Sequence, residues 1–238
     1  MPIKALLFDS GFCLQNDLLI FNKTVNYIAR WLQKQNVIKS TRTFKEAFFR
    51  IDSSVHSEQC WSHIFAEPIV INAVFEELNI TKVPAERLIR EWRNYQKTLF
   101  KPNYRFRAAL KWAKAKALKT AIASNDRAER LHAIVDTHRV RELLDTIVVS
   151  EEVRVEKPDP RFFEIVLEHL QVKGDEAIMF GDNPISDGAC KELGIKFVQV
   201  TKYKPPYIME LGKEYGPDFV INEVNKKNVQ AAVKAFSE

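Results

Sequence analysis

The chain has 238 residues, 46% of them apolar and 28% charged, with a formal charge of +5 and three cysteines. That length buries a sizeable core, and ordinary globular composition without low-complexity tracts excludes a disordered chain. Cys13, Cys60 and Cys190 show no metal-ligand or CxxC spacing, and no stretch reads as a signal peptide or membrane span. A reducing, cytoplasmic setting with no membrane partner is therefore expected. Basic residues alternate with acidic ones instead of clustering, which argues against a nucleic-acid partner and for a mixed surface with mild attraction for an anionic molecule.

In chain order, Ile3 to Phe8 is an apolar run without alternation, as in a strand buried on both faces of a parallel sheet. From Asp17 the period becomes helical. Leu18, Phe21, Val25, Ile28, Ala29 and Leu32 form one stripe; Ile71, Val74, Phe75 and Leu78 form another; and Ala85, Leu88, Trp92, Tyr95 and Leu99 a third. No strand is expected between residues 15 and 103. After Pro102 helix and strand alternate: a helix around Phe106 to Ala117, a strand at Thr120 to Ala123, a helix from Arg127 and a strand at Thr146 to Val149. Then come a helix from Pro160 to His169, a strand at Ala177 to Phe180, a helix from Gly188 to Leu193, strands at Lys196 to Val200 and Phe219 to Ile221, and a last helix from Asn228. This pattern predicts an α/β fold, a Rossmann-like parallel sheet core over residues 1–14 and 104–238, with a four-helix-bundle cap inserted over residues 15–103.

Four short stretches carry chemistry at the ends of predicted strands. Asp9 ends the first in "KALLFDSGFCL"; Ser124 and Asn125 follow the second in "TAIASND"; Lys157 stands in "VEKPDPRFF"; Asp182 and Asp187 stand in "IMFGDNPISDGACKELGI". Singly, each has a plain structural explanation: a turn, a helix N-cap or a surface lysine. Together they converge on one edge of one sheet, where open α/β sheets bind their ligands.

This constellation resembles the haloacid dehalogenase superfamily, whose members are mostly phosphatases, and the resemblance covers the whole chain. It implies Asp9 as nucleophile, Ser124 as the hydroxyl that positions a phosphoryl oxygen with Asn125 beside it, and Lys157 as the fixed cation. It also implies Asp182 and Asp187 as an acidic motif which, with Asp9 and the backbone carbonyl of residue 11, holds Mg2+. The helical block resembles the family's small helical cap. The physics suits these roles. A carboxylate can attack phosphorus and form an aspartyl-phosphate, and an anion approaching a phosphate dianion needs cations beside it.

One departure stands out. The family's phosphatases usually carry a second Asp two residues after the nucleophile, as proton donor and then base; here the residue is Gly11, followed by Phe12 and Cys13. Loss of a general acid is worth roughly 100- to 10,000-fold in rate, which good leaving groups such as acyl phosphates tolerate. The expected activity is a Mg2+-dependent phosphoric monoester hydrolase acting on a small phosphorylated molecule. The alternatives are a binding or regulatory protein on the same scaffold and, less favoured, a 2-haloacid dehalogenase. Either a monomer or a homodimer fits.

The insertion has 13 Lys or Arg against 9 Asp or Glu, a modest pull on an anion. Its aromatic residues Phe44, Phe48, Phe49, Trp61 and Phe65 are expected to pack the bundle. Cys60 and His63 are too few ligands for zinc and are expected to pack. His132, His138 and His169 are expected to be solvated or capping, and Cys13 to be a buried thiol. "KYKPPY", Lys202 to Tyr207, is a loop on the active edge open to a substrate contact.

Overall fold

The computed structural model describes residues 2–58, 63–203 and 215–237. Cys60, Trp61 and most of Lys202–Tyr207 lie outside the described residues, as do the side chains of His63 and Phe65. The core sheet has six parallel strands: β1 (Ala5–Phe8), β2 (Lys119–Ser124), β3 (Thr146–Val149), β4 (Ala177–Gly181), β5 (Lys196–Val200) and β6 (Phe219–Ile221). Their order is β3-β2-β1-β4-β5-β6. Successive strands leave β1 in opposite directions, so the switch in strand order lies between β1 and β4.

The unbroken apolar run of β1 follows from its central place. Leu6 and Phe8 face one layer, with Phe106, Leu110, Ile122 and Phe180; Ala5 and Leu7 face the other, with Ala121, Phe162, Phe163 and Met179. Phe8 stacks on Phe180 with ring centroids 5.0 Å apart and meets Phe106 edge-on at 5.2 Å. A strand buried on both faces can carry no alternating polar pattern. Register then aligns the strand ends: Phe8 pairs with Ile122 and with Phe180, and the Asp9 amide donates to the Phe180 carbonyl at 2.8 Å.

Four helices lie in the stretch after β1: α1 (Asp17–Lys34), α2 (Thr41–Glu58), α3 (His63–Glu77) and α4 (Ala85–Leu99). The rest of the chain contributes α5 (Tyr104–Ala115), α6 (Ala128–His138), a short α7 (Ser150–Val153), α8 (Pro160–Leu170) and α9 (Lys226–Ala235). The predicted helix at Gly188–Leu193 is a 3-10 helix. Two compact units result, one of Met1–Leu18 with Lys101–Glu238 and one of Leu19–Phe100. The first unit extends past residue 14 because the first turn of α1 is tied back to it, Asp17 accepting a hydrogen bond from Arg130 of α6.

The second unit has its own core. Val25, Ile28 and Leu32 of α1, Phe44 and Phe48 of α2, Val70 and Val74 of α3, and Leu88 and Trp92 of α4 pack together. Phe48 and Trp92 stack at 5.3 Å, as the bundle-packing expectation requires, while Phe49 is exposed. One expectation is corrected. His138 is neither solvated nor merely a cap: it is buried, lies edge-on to Phe106, and burial lowers its ring to about 4. It continues the buried stripe of Leu131, Ile134 and Val135, a helical spacing that brings it inward. His132 and His169 are on the surface, facing Glu152 and Thr146. No helix among the described residues is long and apolar enough to cross a membrane.

Candidate active site

The carboxyl ends of β1, β2 and β4 bring together the side chains singled out in the sequence. Asp9 follows β1, Ser124 closes β2, and Asp182 follows β4. Lys157 arrives from the segment before α8, whose N-cap is Asp159 and whose first residue is Pro160. The carboxylates of Asp9, Asp182 and Asp187 are buried, and one oxygen from each falls within 4.8 Å of the others.

Lys157 is the hub. Its side chain is only 2% exposed, and Nζ donates to Asp9 Oδ1 at 2.8 Å, to Asp187 Oδ1 at 2.5 Å and to the Ala123 carbonyl at 3.0 Å. All three ammonium protons are thus used, which is what a buried lysine requires. Burial disfavours its charge, but Asp187 and Asp9 outweigh that and hold it above the ordinary lysine range. Burial likewise pushes the Asp187 carboxyl up, against the pull of Lys157. Three buried carboxylates meet one ammonium, and a divalent cation would restore the balance. Oxygen-only donors in this number fit a hard cation such as Mg2+ or Ca2+, so the residues present suit a metal site.

The loop after β4 is shaped around Asp187. A Cβ on Gly181 would come within 2.2 Å of Asp187 Oδ2, so only glycine lets that carboxylate lie over the strand end. Asp187 Oδ2 accepts from the Asn183 amide at 3.0 Å, and Asn183 Oδ1 accepts from the Ile185 and Ser186 amides. Asn125 grips Lys157 from the other side: its Nδ2 donates to the Lys157 carbonyl at 2.8 Å and its Oδ1 accepts from the Lys157 amide at 2.9 Å. Both ends of that side chain thus position the lysine. Ser124 is buried, next in sequence to the carbonyl that Lys157 contacts, and its hydroxyl has no hydrogen bond among the described residues.

The loop after β1 is arranged differently. Phe12, not Gly11, is in the left-handed region, with φ of 46°, and the Cys13 amide closes the turn onto the Gly11 carbonyl. Cys13 is buried, as expected, and burial raises its thiol. A group that sequence reasoning missed lies beside this loop. Asp17 Oδ1 accepts from Arg130 Nη2 at 2.6 Å and from Gln15 Nε2 at 2.8 Å, while Arg130 also holds Asp126. Burial raises the carboxyls of Asp17 and Asp126, and Arg130 opposes both shifts. In sequence, Asp17 looks like an ordinary acidic residue in a first helical turn, favoured there by the helix dipole.

A parallel sheet with an acidic cluster and a buried lysine at its switch point defines a class of α/β ligand site, at the carboxyl ends of the strands. The family profile described as haloacid dehalogenase-like hydrolase matches residues 32–200, and the chain belongs to that family. The match begins after the altered loop at Gly11. Among curated relatives, the chain is 30% identical over 115 residues to the phosphorylated carbohydrates phosphatase of Thermotoga maritima, covering 47% of this chain and 51% of that protein. It is 28% identical over 93 residues to (S)-2-haloacid dehalogenase 1 of Pseudomonas sp. strain CBS-3, covering 39% and 41%. The chain thus spans about half or less of the length of these relatives. A solved structure of the HAD-hydrolase YfnB of Bacillus subtilis, bound to magnesium, matches with a TM-score of 0.72 at 15% identity over the full length of both chains. L-2-haloacid dehalogenase of Xanthobacter autotrophicus matches with a TM-score of 0.64 at 18% identity, over 97% and 98%.

Proposed function

We propose that the protein is a Mg2+-dependent phosphatase of small phosphorylated metabolites, working through an aspartyl-phosphate on Asp9. The observation that carries this reading is the Lys157 ammonium bridging Asp9 and Asp187 beside a third buried carboxylate, Asp182. An anionic nucleophile set among further carboxylates repels a phosphate dianion unless cations offset the charge, and this cluster has the donors to hold one. Asp9, Asp182 and Asp187, with the Gly11 carbonyl, would hold Mg2+, which when bound neutralises charge between nucleophile and phosphate.

The chain's own residues account for the remainder. Lys157 orients Asp9 through Oδ1 and supplies a positive charge that stays in place through the reaction. The Ser124 hydroxyl is available to donate to a phosphoryl oxygen. Asn125 fixes the backbone of Lys157, so the ammonium does not wander as phosphate enters and leaves. Attack by Asp9 on phosphorus expels the leaving oxygen, and water then cleaves the acyl-phosphate bond and restores the carboxylate.

The relatives include dehalogenases as well as phosphatases. Retention of all three acidic donors favours the phosphatase, because a halide leaving a carbon centre calls for no cation among carboxylates. The two are separated by incubating the protein with acetyl phosphate, sugar phosphates and 2-chloropropionate, with Mg2+ or with EDTA. Phosphate release that needs Mg2+ is the expected result. Chloride release in EDTA, without phosphate release, would replace this reading with the dehalogenase; silence on every substrate would favour a binding protein.

A further inference from the structure

Gly11 puts no side chain beside the nucleophile, and a carboxylate from farther along the chain borders that position. A Cβ built on Gly11 would stand 3.1 Å from Asp17 Oδ2 and 3.7 Å from Asp9 Oδ2. The two carboxylates therefore flank the same space, two residues past the nucleophile, where Gly11 leaves no side chain. Backbone conformation does not call for this glycine, because the left-handed residue of the loop is Phe12. Room does: a contact of 3.1 Å is tighter than an ordinary Cβ contact, so any larger residue at 11 would press on Asp17.

Asp17 is also held for a task. Its Oδ1 takes the Arg130 and Gln15 hydrogen bonds, and the oxygen turned toward position 11 is Oδ2. Arg130 is itself anchored by Asp126 in the same helix, so the carboxylate is fixed from behind. Asp17 belongs to the same compact unit as Asp9, so its placement is set within one body. Fixed geometry of this kind is what a proton-transfer group needs.

We propose that Asp17 is the acid and base of the reaction, its Oδ2 occupying the place that a side chain at position 11 would serve. The inference rests on the phosphatase reading above. As Asp9 bonds to phosphorus and the bond to the leaving oxygen breaks, the proton on Asp17 Oδ2 passes to that oxygen and the alcohol departs. Water then gives a proton to Asp17 Oδ2 while its oxygen bonds to phosphorus and the acyl-phosphate bond to Asp9 breaks. Phosphate leaves, Asp9 is a carboxylate again, and Asp17 is again protonated.

The test follows the covalent intermediate in acid-quenched samples by intact mass, using Asp17→Asn, which keeps the size of the side chain and an oxygen for Arg130. With Mg2+ and an alkyl phosphate, turnover should fall by about 100-fold or more. With acetyl phosphate, whose leaving group needs no proton, the phosphoenzyme should still form and should accumulate above the wild-type level, because water is no longer deprotonated. A purely structural role would slow its formation with both substrates alike and give no accumulation; that outcome, or unchanged turnover, overturns the proposal while leaving the phosphatase reading intact. Phosphate release absent from the wild type would overturn both. Should Asp17→Asn fail to fold, Gly11→Ala tests the same point: its methyl group would press Oδ2 back by a few tenths of an ångström while Arg130 and Gln15 keep Oδ1, so it should lower alkyl phosphate turnover more than acetyl phosphate turnover, and equal losses would contradict the proposal.

Discussion

The loops after β1 and β4 solve one problem in opposite ways. After β4 the chain builds its part of the site from itself: Gly181 clears space, Asp187 fills it, and the backbone amides of Asn183, Ile185 and Ser186 close the turn on neighbouring side chains. After β1 the chain clears space at Gly11 and leaves it to Asp17, a residue of the following helix anchored to Arg130 of α6. A loop whose letters depart from a family pattern has thus not lost the carboxylate from that region. Position in space, not position in the motif, decides which group can do the chemistry.

The contrast is sharpest at Lys157, which serves both loops through Asp9 and Asp187. Replacing it, Lys157→Met, leaves buried carboxylates facing one another without their cation, and breaking a buried pair from one side costs about 3 to 5 kcal/mol. Urea unfolding in EDTA should register a loss of that size, and added Mg2+ should recover part of it by binding the folded state. A loss under about 1 kcal/mol would mean that the cluster is not held by the lysine.

Gly181→Ala is the next largest effect. Its methyl group would be driven into Asp187, so overpacking should cost about 1 to 3 kcal/mol and Mg2+-dependent turnover should drop with it. Retained stability with full activity would show that the loop after β4 yields more easily than its packing implies. The smallest effect is in the loop after β1. Phe12 holds a left-handed conformation that glycine adopts freely and alanine does not, so Phe12→Gly should be more stable than Phe12→Ala by about 1 kcal/mol in thermal or urea unfolding. The reverse order would remove the conformational argument for that loop.

Much of this was legible in the sequence because the signals were local. The unbroken apolar runs at Leu6 to Phe8 and Ala177 to Phe180 mark strands buried on both faces, and each is followed at once by the residues that carry chemistry, so parallel register alone gathers Asp9, Ser124 and Asp182. The second unit's core was likewise readable from the stripes of α1, α3 and α4. What escaped was non-local or ambiguous. Arg130 and Asp17 are 113 residues apart, and no spacing rule links them. Asn125, expected beside Ser124 at the substrate, also binds the Lys157 backbone 32 residues away, a link that no local spacing announces. His138 had its signal in the stripe with Leu131, Ile134 and Val135, outweighed by the polarity of the imidazole itself.

Covalent catalysis depends on Asp9. Phosphate release from acetyl phosphate should be measured for the wild type and Asp9→Asn, each with Mg2+ and with EDTA. The expected result is release by the wild type in Mg2+ only, and none by the variant under either condition. Release by Asp9→Asn at the wild-type rate would contradict covalent catalysis at Asp9.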